Sequence, residues 1–136
     1  MYEVKRNNAV QEKVRITDVN GKELILPVSI TADDIIREYT ACLKAVGAAE
    51  KELDAAKSAD PEGAEHLEVV YTEYGKAVLA LMRCVFGSEG AEKLLTFYNG
   101  HYDEMLGDVF PFLESEVSPL VRNVLDERKA KYTALR

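Results

Sequence analysis

The sequence predicts a mainly α-helical protein of the α+β class, in which a small N-terminal β-hairpin precedes a bundle of four to five helices. Apolar and polar residues alternate within the first thirty residues, whereas apolar residues recur at three- and four-residue spacing in the rest of the chain. No internal repeat, linker or low-complexity segment divides the 136 residues. We therefore predict one domain over residues 1–136, with a hairpin region at 1–30 and a helical region at 31–136.

Two short segments, VQEKVRITD and KELILPVSI, carry the strand pattern. Alternation places the apolar side chains of both segments on one side of the predicted hairpin; they are Val10, Val14, Ile16, Leu24, Leu26 and Val28. The pair Asn20-Gly21 between the segments is typical of a type I′ turn, in which both central residues have a positive φ angle. A lone hairpin is only marginally stable, so we expect its apolar side to lie against the helices.

The helical region begins with a capping-box pattern from Thr31 to Asp34. One apolar stripe follows it, formed by Ile35, Ile36, Tyr39, Cys42, Leu43, Val46 and Leu53. We expect the chain to reverse near residues 58–61, where Asp60-Pro61-Glu62 resembles a new helix start. The next helix has a wider apolar surface and is predicted to be central; its apolar residues are Leu67, Val69, Val70, Tyr74, Val78, Leu79, Leu81, Met82, Val85 and Phe86.

Glycine and proline predict where the later helices end. The GSEG segment at 87–90 should stop the central helix, and Ser88 could then cap a short helix. Asn99-Gly100 is a second stop, after which another helix begins near His101. Pro111 should break or kink that helix, and Ser118-Pro119 should start the last one. The chain is therefore expected to turn twice between Pro111 and Pro119.

Composition excludes several classes of function. The net charge is −7, and residues 31–116 carry 18 acids against 7 bases, which argues against a nucleic-acid partner. No apolar run approaches the length of about 20 residues that spans a bilayer, and the amino terminus lacks an apolar signal segment, so we expect a cytoplasmic protein without a membrane partner. Cys42 and Cys84 stand far apart in apolar surroundings, which favours neither a disulfide framework nor a zinc site.

One set of residues could hold a divalent metal. His101, Glu104 and Asp108 have the spacing i, i+3 and i+7, which brings one imidazole and two carboxylates to one helix face. That face lies opposite the apolar stripe of the same helix, where ordinary solvent-exposed residues are expected. The chain also lacks a glycine-rich phosphate loop and a nucleophile elbow. We therefore predict a protein that is not an enzyme, with no catalytic residue, no metal site and no cofactor.

The segment FYNGHYDEML and its surroundings are rich in aromatic residues and methionine. The residues concerned are Phe97, Tyr98, Tyr102, Met105, Phe110 and Phe112. They could simply fill the core of a domain of this size, or some of them could line a surface that adapts to a partner. Our hypothesis for a partner-binding groove places Tyr98, Tyr102, Met105 and Phe110 at its border.

Element order and several segments resemble one family. The hairpin RITDVNGKELILPV, the Ala-, Glu- and Lys-rich middle and the segment FGSEGAEKLLTFYNGHYDEMLGDVFPFLESEVSPLV are similar to the small tail assembly chaperones of siphophages and of prophages in Gram-positive bacteria. The resemblance implies a non-enzymatic protein that coats the long tape measure protein in the host cytoplasm and helps tail tube subunits to polymerise around it. It implies the tape measure protein, and possibly the tail tube protein, as partners, together with homo-oligomer formation.

The resemblance supplies no catalytic residues to transfer. Many genes of this family also yield a longer product by ribosomal frameshifting. In the family mechanism, that longer product recruits the tail tube protein. An alternative from another class is a small acidic regulatory or inhibitor protein, encoded by a phage, that binds a host factor. Such a protein would bind its target in equal numbers, whereas a chaperone should bind one long partner in several copies.

Overall fold

A two-stranded antiparallel hairpin and a series of helices make up the computed structural model, which describes residues 1–2, 9–58 and 64–134. The strands are β1 (Ala9–Thr17) and β2 (Glu23–Thr31). The helices are α1 (Ala32–Lys57), α2 (Ala64–Phe97), α3 (Tyr102–Phe112), a π-helical turn (Leu113–Val117) and α4 (Ser118–Ala134). The predicted class, mainly helical with an N-terminal hairpin, is confirmed.

The hairpin packs as the alternation predicts. Val14 pairs with Leu26, and the β2 residues Leu26 and Val28 are buried against the helices, whereas Lys13 and Arg15 face solvent. The side chain of Val10 lies outside the described part of the chain.

The predicted type I′ turn is wrong. Gly21 has a φ of +84°, but Asn20 does not have a positive φ, and the connection spans the five residues between the paired Thr17 and Glu23. The Asp18 carboxylate accepts hydrogen bonds from the backbone N–H groups of Asn20 and Lys22, each at 2.9 Å. A side chain that satisfies two loop amides makes the longer loop stable, which the Asn-Gly pair alone did not indicate.

Helix α2 is central, as predicted, because it contacts α1, β2 and α3. Its stripe from Val70 to Val85 is buried, and it packs against Tyr39, Val46 and Leu53 of α1. Val69 is 61% exposed, so the predicted widening of the stripe is wrong at that position. Helix α1 ends at Lys57 and α2 begins at Ala64. The predicted helix start at Asp60-Pro61-Glu62 and the side chains of Thr31, Asp34, Ile35 and Ile36 lie outside the described part of the chain.

The predicted stop at Gly87 is a kink inside one long helix. Gly87 has φ 79° and ψ 170°, which is not helical, yet the helix continues at once on the other side and ends at Phe97. The end of α2 is closed by a Schellman motif, since the Gly100 N–H donates to the Leu95 carbonyl and the Asn99 N–H donates to the Thr96 carbonyl. Asn99 and Gly100 both have positive φ angles, of 55° and 76°.

The two predicted turns between Pro111 and Pro119 are wrong, because residues 102–134 form one continuous helical stretch. The backbone stays in the right-handed helical region at Leu113 and at Ser118. The Ser118 N–H donates to the Leu113 carbonyl five residues earlier, so a π-helical turn shifts the hydrogen-bond register between the prolines. The described residues therefore hold three helical stretches, of which α2 is kinked at Gly87, instead of four to five helices.

Candidate partner-binding groove

Helices α1 and α3 lie side by side over α2 and leave an open cleft of about 440 Å³ between them. Tyr39, early in α1, hydrogen-bonds Ser118 beyond the end of α3, whereas Glu50, later in α1, lies near the start of α3. The two helices are therefore antiparallel. The α1 wall of the cleft is formed by Leu43, Val46 and Gly47, the α3 wall by Leu106, Gly107 and Phe110, and the floor by Leu81. We call this cleft the α1–α3 groove.

Each wall of the α1–α3 groove contains a helical glycine. A Cβ atom built at Gly47 or at Gly107 would meet no other atom within 4 Å, so the space above both residues is open. Glycine inside a helix costs roughly 0.5–1 kcal/mol relative to alanine. In return it allows another backbone to approach closely. The two glycines thus leave open space on both walls of the groove.

One end of the α1–α3 groove is acidic. Glu50 from α1 and Asp103 from α3 line this end, and both are exposed. The buried Tyr74 lies close to both carboxylates. Burial raises the pKa of Tyr74, and the nearby Asp103 carboxylate, followed by the charge of Glu50, raises it further. No basic side chain is among the described residues that line the groove.

The other end of the groove is apolar. It is formed by Leu43 from α1 and by Phe110 and Pro111 from α3. Phe110 is 38% exposed, which makes it one of the few large apolar side chains of the described residues that reach solvent. The groove therefore changes from acidic to apolar along its length.

The four residues of the groove hypothesis lie in different surroundings. Phe110 lines the α1–α3 groove, and Tyr102 is half-buried, with its ring centroid 5.9 Å from that of Tyr71. Tyr98 is buried and its hydroxyl donates to Asp108 at 2.8 Å, and Met105 is fully buried in the core. Of the four, only Phe110 reaches the groove. The sequence did not single out Leu43, Gly47, Leu106 and Gly107, although the helical glycines inside apolar stripes were a usable signal.

The candidate metal ligands do not converge on one site. His101, Glu104 and Asp108 are all exposed, and His101 Nδ1 lies 3.6 Å from the Glu104 carboxylate. The Asp108 carboxylate instead accepts the hydrogen bond from Tyr98. Within residues 1–2, 9–58 and 64–134, no group of three histidine, cysteine or acidic side chains could hold a metal ion.

The fold and the groove define a class of protein: a mainly helical α+β protein that carries an open apolar groove between two antiparallel helices. Comparison with protein-family models, with curated proteins and with solved structures finds no match to this chain. Among the described helices, none is long and apolar enough to cross a membrane.

Proposed function

We propose that this protein is a phage or prophage tail assembly chaperone that binds helical segments of the tape measure protein and assists tail tube assembly without catalysis. The observation that carries the proposal is the α1–α3 groove with an open glycine in each wall. Helix-in-groove recognition needs an apolar channel that accepts side chains at i, i+3, i+4 and i+7 of a partner helix. The resemblance of the sequence to tail assembly chaperones supplies the identity of that partner.

The size of the α1–α3 groove suits a helix of about two turns at a time. The lining residues span 43–50 on α1 and 103–111 on α3, which is about two helical turns on each wall. A long helical protein could therefore be covered by many copies of this chain, each copy holding one short segment. A small contact per copy suits a coat that must later be removed.

Charge supports the same role. The net charge of −7 keeps copies of the chain apart in solution and opposes their aggregation when many of them gather on one partner. The floor and walls of the groove are apolar, so the contact with the partner itself depends on apolar burial. The chain can thus shelter apolar helix faces while its outer surface stays charged.

Coexpression with the tape measure gene of the same operon tests the proposal. We expect the tagged protein to copurify the tape measure protein, with several copies per partner by light scattering. Gly47→Leu should abolish copurification because the new side chain fills the open space of the groove. Ala45→Leu is the matched control, since Ala45 is exposed about 200° around the same helix and the substitution should leave binding intact.

Three results would count against the proposal. If Gly47→Leu and Ala45→Leu copurify the tape measure protein equally well, the partner does not bind in the α1–α3 groove. Failure of the unmodified protein to bind the tape measure protein would overturn the function. Recovery of a host protein in equal numbers would instead favour the regulatory or inhibitor protein.

A further inference from the structure

The α1–α3 groove has a direction, and this direction bears on how a partner helix lies in it. We propose, on the basis of the proposed function, that the bound helix points its amino-terminal end toward Glu50 and Asp103 and places a lysine or arginine there. Its apolar side chains then lie along the glycine walls and reach Phe110 at the other end. The partner class is thus an amphipathic helix with a basic amino-terminal turn.

The acidic end is fixed by residues from two elements. Glu50 lies in α1 and Asp103 lies in the first turn of α3, so the two carboxylates face the groove from opposite walls. The buried Tyr74 lies near both carboxylates. The described lining residues include no cation that would neutralise these carboxylates. Of the described residues that line the groove, two carry a negative charge at this end and none does at the other end.

Two physical effects favour the same orientation. The amino terminus of a helix carries about half a positive charge and several unpaired N–H groups, so a nearby carboxylate stabilises it. A lysine or arginine in the first turn of the partner would add a direct ion pair with Glu50 or Asp103. The reverse orientation would bring the negative carboxyl terminus of the helix to two carboxylates. The apolar end around Leu43 and Phe110 has no comparable preference for either terminus.

A pair of synthetic peptides tests the orientation. Both are 18-residue amphipathic helices of the same composition (a length of about five turns), with leucine and alanine on one face. One peptide carries two arginines in its first turn and the other carries them in its last turn. We expect the first peptide to bind about fivefold more tightly by fluorescence anisotropy, which matches the size of a helix-terminus charge effect. In a free helix, arginines are more favourable at the carboxyl end, because cations stabilise that end. The attraction of Glu50 and Asp103 must therefore be larger than this effect.

Variants of the protein show whether the carboxylates are the cause. Glu50→Gln combined with Asp103→Asn should abolish the difference between the two peptides, and both substitutions remove the charge while they keep the size of the side chain. The control Glu52→Gln combined with Glu92→Gln removes the same amount of charge from exposed positions that do not line the groove. A nitroxide on the amino terminus of the tighter peptide should broaden the amide signals of Glu50 and Asp103 more than those of Leu43 and Phe110.

The outcomes separate this inference from the proposed function. Binding of both peptides with equal affinity, or broadening centred on Phe110, would overturn the orientation and leave the groove as a helix site. If the two peptides still differ in affinity for the variant that lacks both the Glu50 and Asp103 carboxylates, the proposed orientation is also wrong. If neither peptide binds although the tape measure protein copurifies, the orientation falls while the chaperone function stands. If the peptides bind as expected but no tape measure protein is recovered, the function falls and the orientation stands.

Discussion

The aromatic ring of Tyr102 lies against Gly75, in the space that a Cβ atom at position 75 would occupy. Gly75 is buried within α2, and Tyr102 is the first residue of α3. The missing side chain allows the start of α3 to approach α2, and the Tyr102 ring then contacts Tyr71 as well. This contact sets the position of α3, and with it one wall of the α1–α3 groove.

Gly75→Ala should therefore destabilise the fold by about 1–2 kcal/mol, because the new methyl group overpacks against the Tyr102 ring. Chemical denaturation measures the free energy of unfolding. Gly47→Ala is the control, since it also lies in a helix but has open space around it, and it should stabilise the fold by roughly 0.5–1 kcal/mol. A stabilising effect of Gly75→Ala similar to that of Gly47→Ala would contradict the close contact.

Gly87→Ala should lower stability by about 1–3 kcal/mol for a different reason. Gly87 has φ 79° and ψ 170°, a conformation that residues with a side chain adopt only under strain. No atom lies within 4 Å of a built Cβ at Gly87, so the cost arises from the backbone alone. Gly107→Ala, in a regular helix, is the matched control and should be stabilising. If both variants unfold at the same denaturant concentration, the kink at Gly87 is not a fixed feature of the helix.

Met105 and Phe110 should respond differently to truncation, although both belong to α3. Met105 has no solvent exposure, so Met105→Ala should cost about 2–5 kcal/mol of stability through lost burial and a cavity. Phe110 is 38% exposed, and Phe110→Ala should cost about 1 kcal/mol or less. Phe110→Ala should nevertheless weaken partner binding, because Phe110 lines the α1–α3 groove. Thermal unfolding and copurification measure the two effects; full binding by Phe110→Ala would argue that the partner lies elsewhere.

Stability should fall at alkaline pH because of buried tyrosines. Burial raises the pKa of Tyr39, Tyr74 and Tyr98, and the hydrogen bond to Asp108 and the charges of Asp108 and Glu104 raise that of Tyr98 further. The unfolded chain, with a tyrosine pKa of about 10, then loses its phenolic protons before the folded chain does. The contribution of these tyrosines to the free energy of unfolding is therefore complete below a pH of about 10. Above that pH the free energy of unfolding falls by up to about 1.4 kcal/mol per pH unit for each tyrosine.

Denaturation at a series of alkaline pH values measures this effect. Tyr98→Phe should reduce the slope of stability against pH, whereas Tyr2→Phe, at an exposed position, should leave the slope unchanged. An identical slope for Tyr98→Phe and the unmodified protein would show that the Tyr98 hydroxyl is not buried against Asp108.

Local patterns were sufficient for part of the fold. The alternation in β1 and β2 correctly placed Leu26 and Val28 toward the helices, and the three- and four-residue spacing correctly gave the packed faces of α1 and α2. The break in helical geometry at Gly87 and the stop at Asn99-Gly100 were also predictable, since a positive φ angle is a property of one residue and its neighbours. Turn chemistry was less predictable, because the hairpin loop depends on the side chain of Asp18.

The candidate site could largely not be predicted from the sequence. The aromatic cluster drew attention to Tyr98 and Met105, but both lie inside the core, whereas the open walls of the α1–α3 groove come from Gly47 and Gly107. Gly47 and Gly107 are 60 residues apart in sequence, and only the packing of α1 and α3 on α2 brings their helices together. A glycine inside an apolar helical stripe marks each wall in the sequence, but no local pattern shows that the two walls face each other.

Periodicity and glycine positions are local properties, so the sequence was sufficient to predict a mainly helical chain with an N-terminal hairpin. The continuation of the helix from Tyr102 through Pro111 and Pro119 depends instead on the packing of the folded chain. Leu113 and Val117 of the π-helical turn are both fully buried in the core. The π-helical turn that holds them changes the hydrogen-bond register of the helix between the two prolines. Proline removes one N–H donor, but tertiary contacts decide whether the helix ends there.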